Sequence, residues 1–196
     1  MMKFFEKNFP DVIPMIPSLK EDFFGNPSSS LVTVRCFPWR FQDKVLMLGD
    51  AAHAIVPFYG QGMNCGFEDC FVLNELMQKY GDDWDTIFEE FQTLRKPDAD
   101  AIAELALANF IEMRDKVSDA NFLLQKKIEA WFSDKHPDKW IPLYTMVSYS
   151  PNIRYSEALR LGKKQDAIMQ TILAIPGIEN NWNSTEVENK IIAALN

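Results

Sequence analysis

Histidine and cysteine are scarce in this sequence of 196 residues: His53 and His136 are the two histidines, and Cys36, Cys65 and Cys70 the three cysteines. The histidines are far apart and no cysteine pair has metal-ligand spacing, so no metal site is expected. An odd number of cysteines without a pairing pattern reads as free thiols in a reducing compartment, which points to a cytoplasmic protein. Positive charge is also in deficit, with 20 Lys and Arg against 28 Asp and Glu and a net charge of −8. A basic face for nucleic acid is thereby excluded. No apolar run reaches the about 18 uncharged residues of a transmembrane helix. The first residues, Met1-Met2-Lys3-Phe4-Phe5-Glu6-Lys7, lack the apolar core and small-residue cleavage site of a secretory signal. There is no internal repeat and no low-complexity tract. Nor does any G-x-G-x-x-G follow a strand, so no dinucleotide-binding βαβ unit is expected.

What is present is enough apolar material, 47% of the residues, for one large or two small domains. Residues 3–8 read as the end of a helix, and Pro10, Pro14 and Pro17 as an extended connector. Leu19 to Phe24 reads as a helical turn stopped by Gly25-Asn26-Pro27. The alternation and β-branched content of residues 31–37 predict a strand, and Val45-Leu46-Met47-Leu48 predicts a buried one. Beyond that the periodicity is helical. Helices are expected from about 65 to 77, from Trp84 to Leu94, from 99 to 117, at 121–134, at 155–174 and from Thr185 onward. Pro97 is expected to end the second of these and Asp98 to cap the next. Thr185-Glu186-Val187-Glu188 has the form of a capping box. The chain is expected to divide near residue 97, with strands before it and a helical region after it.

Residues 49–64 carry the clearest chemistry. Gly49-Asp50 closes the expected strand, and Gly60-Gln61-Gly62 leads into a helix. Asp50 can accept hydrogen bonds from ligand hydroxyls. The glycines let backbone N–H groups approach a ligand, and the helix start adds positive partial charge. An anionic or polarisable ligand suits that combination. Further on, Ile102, Leu105, Asn109 and Met113 follow helical spacing and share one face, apolar except for Asn109. A buried, unpaired amide costs about 1–3 kcal/mol, so Asn109 needs a partner, either a neighbouring backbone group or a bound molecule. His53 reads as structural, Glu112 and Arg114 as a solvated or ion-paired face, and Trp84, Trp131, Trp140 and Trp182 as core or rim.

In residues 49–64 the sequence resembles the second flavin-contacting motif of the group A aromatic hydroxylases, single-component FAD monooxygenases. The resemblance implies that Asp50 binds the ribityl chain of FAD, and that the backbone at Gly62, Met63 and Asn64 lies against the pyrimidine edge of the flavin. Gly60 to Cys70, Leu94-Arg95-Lys96-Pro97-Asp98, Asn109-Phe110-Ile111-Glu112-Met113-Arg114 and residues 141–147 resemble, in order and spacing, the kynurenine-hydroxylating members of that family. That implies a reaction in which NADPH, a transient co-substrate, reduces FAD and O2 supplies the oxygen placed on carbon 3 of L-kynurenine. It also implies that Asn109 and Tyr144 hydrogen-bond the substrate and that Met113 packs on it. Pro57 and Phe58 are expected beside the flavin ring and the substrate. No residue is assigned a catalytic role. The implied fold is α+β: the end of a group A flavin hydroxylase FAD/substrate domain over 1–97, then a mostly α-helical C-terminal region over 98–196. Without an ADP-binding unit, the chain is expected to be the C-terminal portion of a longer enzyme and inactive alone. The alternatives are a group A hydroxylase acting on a phenol or hydroxybenzoate, and a non-catalytic helical module.

Overall fold

The computed structural model describes residues 1–195, which form two compact units, residues 1–31 and 32–196. The first holds α1 (Met2–Asn8) and α2 (Leu19–Gly25), neither of which buries a residue. Phe4, Phe5 and Phe9 cluster with ring centroids about 6 Å apart. Between the helices, Ile13–Met15 form a 3-10 turn where an extended connector was expected. Proline at the second position of that turn presets the backbone for it and costs no hydrogen bond there.

The second unit begins with a hairpin, β1 (Arg40–Phe41) paired antiparallel with β2 (Val45–Leu46). Two sequence expectations fail here. Residues 32–37 form no strand; the Val34 N–H donates to the Ala54 carbonyl at 2.8 Å and no ladder follows. The strand expected over 45–48 is two residues long, and Val45 is half exposed rather than buried. Alternation describes which faces a strand would offer, but only a neighbouring ladder makes it one, and a two-stranded hairpin leaves both outer edges open.

Helices supply the rest: α3 (Asp50–His53), α4 (Gly62–Tyr80), α5 (Trp84–Ile111), α6 (Ala120–Lys135), α7 (Leu143–Tyr149), α8 (Tyr155–Leu173), α9 (Ile178–Asn181) and α10 (Thr185–Leu195). Caps fix several starts. Asp83 accepts from the Thr86 N–H at the head of α5, and Asp119 from the Phe122 N–H at the head of α6. At α10 the cap is Ser184, whose hydroxyl accepts from the Val187 N–H, and not the expected Thr185. Glu188, which was to close the box, instead pairs with Lys135 and His136. The sequence reading missed α7 and α9.

The long α5 is the spine. It passes through Pro97 without interruption, contrary to expectation, and ends in a π-helical turn at Glu112–Lys116. Proline inside a helix crowds and frees carbonyls one turn back. The carbonyl left without its helical donor is that of Thr93; the neighbouring Leu94 carbonyl accepts from Arg154 Nη2 at 2.5 Å. Asp98 is therefore no cap. It is buried mid-helix, and its carboxylate accepts from Arg154 Nε at 2.8 Å and from the Ser156 N–H and hydroxyl at 3.1 and 2.6 Å. Along α5, Ile87, Phe88 and Phe91 pack with Trp39 and Leu76, while Ile102 and Leu105 pack with Met146, Val147 and Ala158. A third cluster, around Phe132, Trp140 and Ile191, joins α6, α8 and α10. Gly162 lets α7 sit close on α8, since a Cβ there would lie 2.8 Å from Leu143 Cδ1. Among the described residues no helix is long and apolar enough to cross a membrane.

Losing a cap costs about 1 kcal/mol, whereas depriving buried donors of their acceptor costs up to about 3 kcal/mol. Asp98→Ala is expected to show the larger loss in urea unfolding; a loss near the smaller value would mean that its bonds to Arg154 and Ser156 contribute little.

Candidate functional site

The site is built where β2 gives way to α3 and α4. Gly49, with φ at +53°, turns the chain, and its carbonyl accepts from the Ala52 and His53 N–H groups, both at 2.9 Å. Asp50 follows, exposed in the first turn of α3. Pro57–Tyr59 then form a 3-10 turn that ends on Gly60 in the left-handed region, where a side chain would be strained. Gln61 heads α4 and is buried; its amide oxygen accepts from Asn64 Nδ2 at 2.9 Å and from the Tyr155 hydroxyl at 3.1 Å. No side chain caps α4. The N–H groups at Gly62, Met63 and Asn64 precede the first helical bond, from the Cys65 N–H to the Gln61 carbonyl. Uncapped donors beside positive partial charge form an anion site. A Cβ at Gly66 would stand 3.9 Å from the Gly49 Cα, so the turn before Asp50 lies directly against α4.

The second group of predicted residues gathers at the far end of α5. Asn109 Nδ2 donates to the Phe58 carbonyl at 2.6 Å, so its amide has a backbone partner. Met113 Sδ lies 3.8 Å from the same nitrogen, but Met113 is 55% exposed. The expected apolar face is thus buried only at Ile102 and Leu105, because the π-helical turn carries the chain away from the core. The Phe58 ring packs on Phe110 at 4.5 Å, and the Tyr59 ring stacks on Tyr144 at 5.6 Å. Tyr59, Asn109 and Tyr144 line one cleft of about 250 Å³ together with Glu112, Lys126 and Glu129. Pro57, Phe58 and Met113 lie outside that lining. Burial, with Glu112 and Tyr144 nearby, pushes the Tyr59 hydroxyl up to about 12, so it is a neutral group in the cleft.

Sequence reasoning passed over a buried ionic cluster between these two groups. Asp69 Oδ2 meets His53 Nε2 at 2.6 Å and accepts from the Gly49 N–H at 2.9 Å, while Asp69 Oδ1 accepts from Arg95 Nε at 2.8 Å. Arg95 Nη1 pairs with Glu68 at 2.9 Å and lies 3.5 Å from Asp98. The signal was legible: Arg95 and Asp98 fall on the apolar stripe of α5 between Phe91 and Ile102, where a charge needs a buried partner. His53, Cys65 and Asp69 put possible ligand atoms within 4.8 Å of one another. Arg95 already fills the cationic position, bonding the carboxylate and lying 3.4 Å from Cys65 Sγ, which disfavours a metal ion. Burial alone would lower the His53 pKa, but the bond to Asp69, with Cys65 alongside, raises it to about 10. Burial would likewise raise the Asp69 carboxyl, and the bonds from His53, Arg95 and Gly49 instead hold it below its ordinary value.

Residues 28–105 match the family model of an FAD binding domain. Over 98% of its length the chain is 62% identical to kynurenine 3-monooxygenase of Flavobacterium johnsoniae and 58% identical to that of Christiangramia forsetii, in each case spanning 43% of the relative. To the Anopheles gambiae protein of the same name it is 46% identical over 88% of this chain and 36% of the relative. The chain is thus similar to an FAD binding domain over residues 28–105 and to kynurenine 3-monooxygenases over nearly its whole length. It spans less than half the length of the curated relatives it matches.

The donor set fits FAD. An uncapped helix start, a glycine turn against it and an exposed carboxylate at Asp50 match a ligand that carries hydroxyls and gains negative charge on reduction. Met63, 70% exposed at that helix start, leaves the backbone there open to a ligand.

A group whose folded pKa is raised adds stability below its unfolded value and loses it as pH climbs through the folded one. For His53 that window runs from 6.5 to about 10. The Tm of the chain is therefore expected to fall more steeply across this window than the Tm of His53→Gln; parallel curves in a thermal-melt series would refute the charged assignment.

Proposed function

We propose that this chain forms part of an FAD- and NADPH-dependent monooxygenase that converts L-kynurenine to 3-hydroxykynurenine, a step of tryptophan breakdown. The reading is carried by one observation: Asn109 and Tyr144 line a single cleft, and Asn109 is bonded to the loop that leads into the uncapped start of α4. The match to an FAD binding domain and identities of 58–62% to kynurenine 3-monooxygenases support it.

In this reading Asp50 holds the ribityl hydroxyls, and the N–H groups of Gly62, Met63 and Asn64 face the pyrimidine edge of the isoalloxazine. Asn109 and Tyr144 bond the aromatic substrate in their cleft, and Met113, Pro57 and Phe58, outside its lining, meet the substrate only where it extends beyond the cleft. The bound flavin, reduced by NADPH, supplies the oxygen-activating chemistry. The chain's own residues place the substrate ring and limit water around it; no side chain here is assigned a proton transfer. In this reading residues 1–97 belong to the end of the FAD/substrate domain and the helical C-terminal region follows, with α5 shared between them. The ADP half of FAD and the substrate carboxylate are held by the portion of the enzyme to which this chain has no counterpart. Free thiols at Cys36, Cys65 and Cys70 favour a reducing, cytoplasmic setting.

The test is a chimera in which this chain replaces its counterpart in the Flavobacterium johnsoniae relative. NADPH oxidation stimulated by L-kynurenine, with 3-hydroxykynurenine identified by mass, is the expected result. Asn109→Ala and Tyr144→Ala should each raise KM by about tenfold through loss of one substrate hydrogen bond. Flavin bound without any response to kynurenine would overturn the substrate and leave another aromatic hydroxylase as the reading.

A further inference from the structure

Asp69 is fully buried on α4, and each of its oxygens is engaged by a different segment. One takes the Gly49 N–H and His53, and so holds the turn that aims Asp50. The other takes Arg95, whose Nη2 also donates to the Cys65 carbonyl at 3.2 Å in the first turn of α4. Arg95 stands on α5, the helix that carries Asn109. An apolar trio of similar volume could fill the same space at no loss of stability. It could not accept the Gly49 N–H or direct the turn, because dispersion contacts have no preferred bearing while hydrogen bonds do.

We propose that Asp69, His53 and Arg95 are positioning residues of the flavin site, a buried ionic clamp that sets the Gly49-Asp50 turn and the start of α4 relative to the substrate-facing end of α5. The proposal rests on the flavin reading above and assigns the three residues a role beyond packing. None of them touches a ligand: their exposures are 0% for Asp69, 4% for His53 and 4% for Arg95. Their effect passes through the backbone of Gly49 and Cys65, so it should appear in how flavin is held and not only in turnover.

The experiment compares FAD dissociation constants, read by quenching of flavin fluorescence, for the chimera described above and three variants. Asp69→Asn, which leaves Arg95 and His53 without their buried anion, is expected to weaken FAD about tenfold, as loss of a charged hydrogen-bond partner does. Arg95→Lys keeps the charge but loses the planar fork, and is expected to weaken FAD about threefold; it carries the test if Asp69→Asn fails to fold. Phe132→Leu, in the separate cluster of α6, α8 and α10, is chosen to lower Tm by a comparable amount and should leave FAD affinity within about twofold. FAD bound equally well by the parent and the Asp69 and Arg95 variants would overturn the clamp alone. An equal loss in Phe132→Leu would also overturn it, since the effect would then track stability. A parent chimera without flavin absorbance would overturn both the clamp and the flavin reading.

Discussion

A carboxylate with no access to water governs this structure. Desolvating Asp69 costs several kcal/mol, more than any single apolar contact returns, and it is tolerable only because His53, Arg95 and the Gly49 N–H surround it. Two of those partners belong to the Gly49–His53 turn and the third to α5, so the need to satisfy one charge fixes that turn, α4 and α5 against each other. Gly49 allows the positive φ of the turn that donates to Asp69, and the turn lies against α4 at Gly66. The open start of α4 is thereby presented at a fixed place beside Asp50.

The same constraint explains why α5 runs unbroken through Pro97. A kink or a break there would separate Arg95 from Asp98, which share the buried face with Phe91 and Ile102. Arg154 and Ser156 at the head of α8 bind Asp98, and Arg154 also takes the Leu94 carbonyl one turn before the proline. The head of α8 thus braces α5 on both sides of the proline, at Leu94 and at Asp98. The cleft residue Asn109 is thus on a rod anchored at the other end by ion pairs.

Local chemistry was what the sequence made legible. Gly49-Asp50 and Gly60-Gln61-Gly62 demand backbone conformations that few other residues adopt, so the turn and the helix start could be read from residue types. The long amphipathic helices are also local, decided within a few turns. What failed was settled at a distance. The strand expected at 31–37 needed a neighbour, and the cap expected at Asp98 is a buried carboxylate bound by an arginine nearly sixty residues on. The ionic cluster belongs to the same class: Arg95 on an apolar stripe announces that it has a partner, but only the fold shows that the partner is Asp69. The clefted pairing of Asn109 and Tyr144 came from the family resemblance, since nothing in their spacing brings them together.

Charge balance shows why a histidine occupies position 53. The connected groups His53, Arg95 and Arg154 face Asp69, Glu68 and Asp98. With the imidazole protonated, as its pKa near 10 requires at neutral pH, cations and anions are equal in number. A neutral side chain at 53 would leave one negative charge in surplus beside the turn that aims Asp50. A protonated His53 cancels it, so the residue that completes the packing of the turn also balances the charge of the buried cluster.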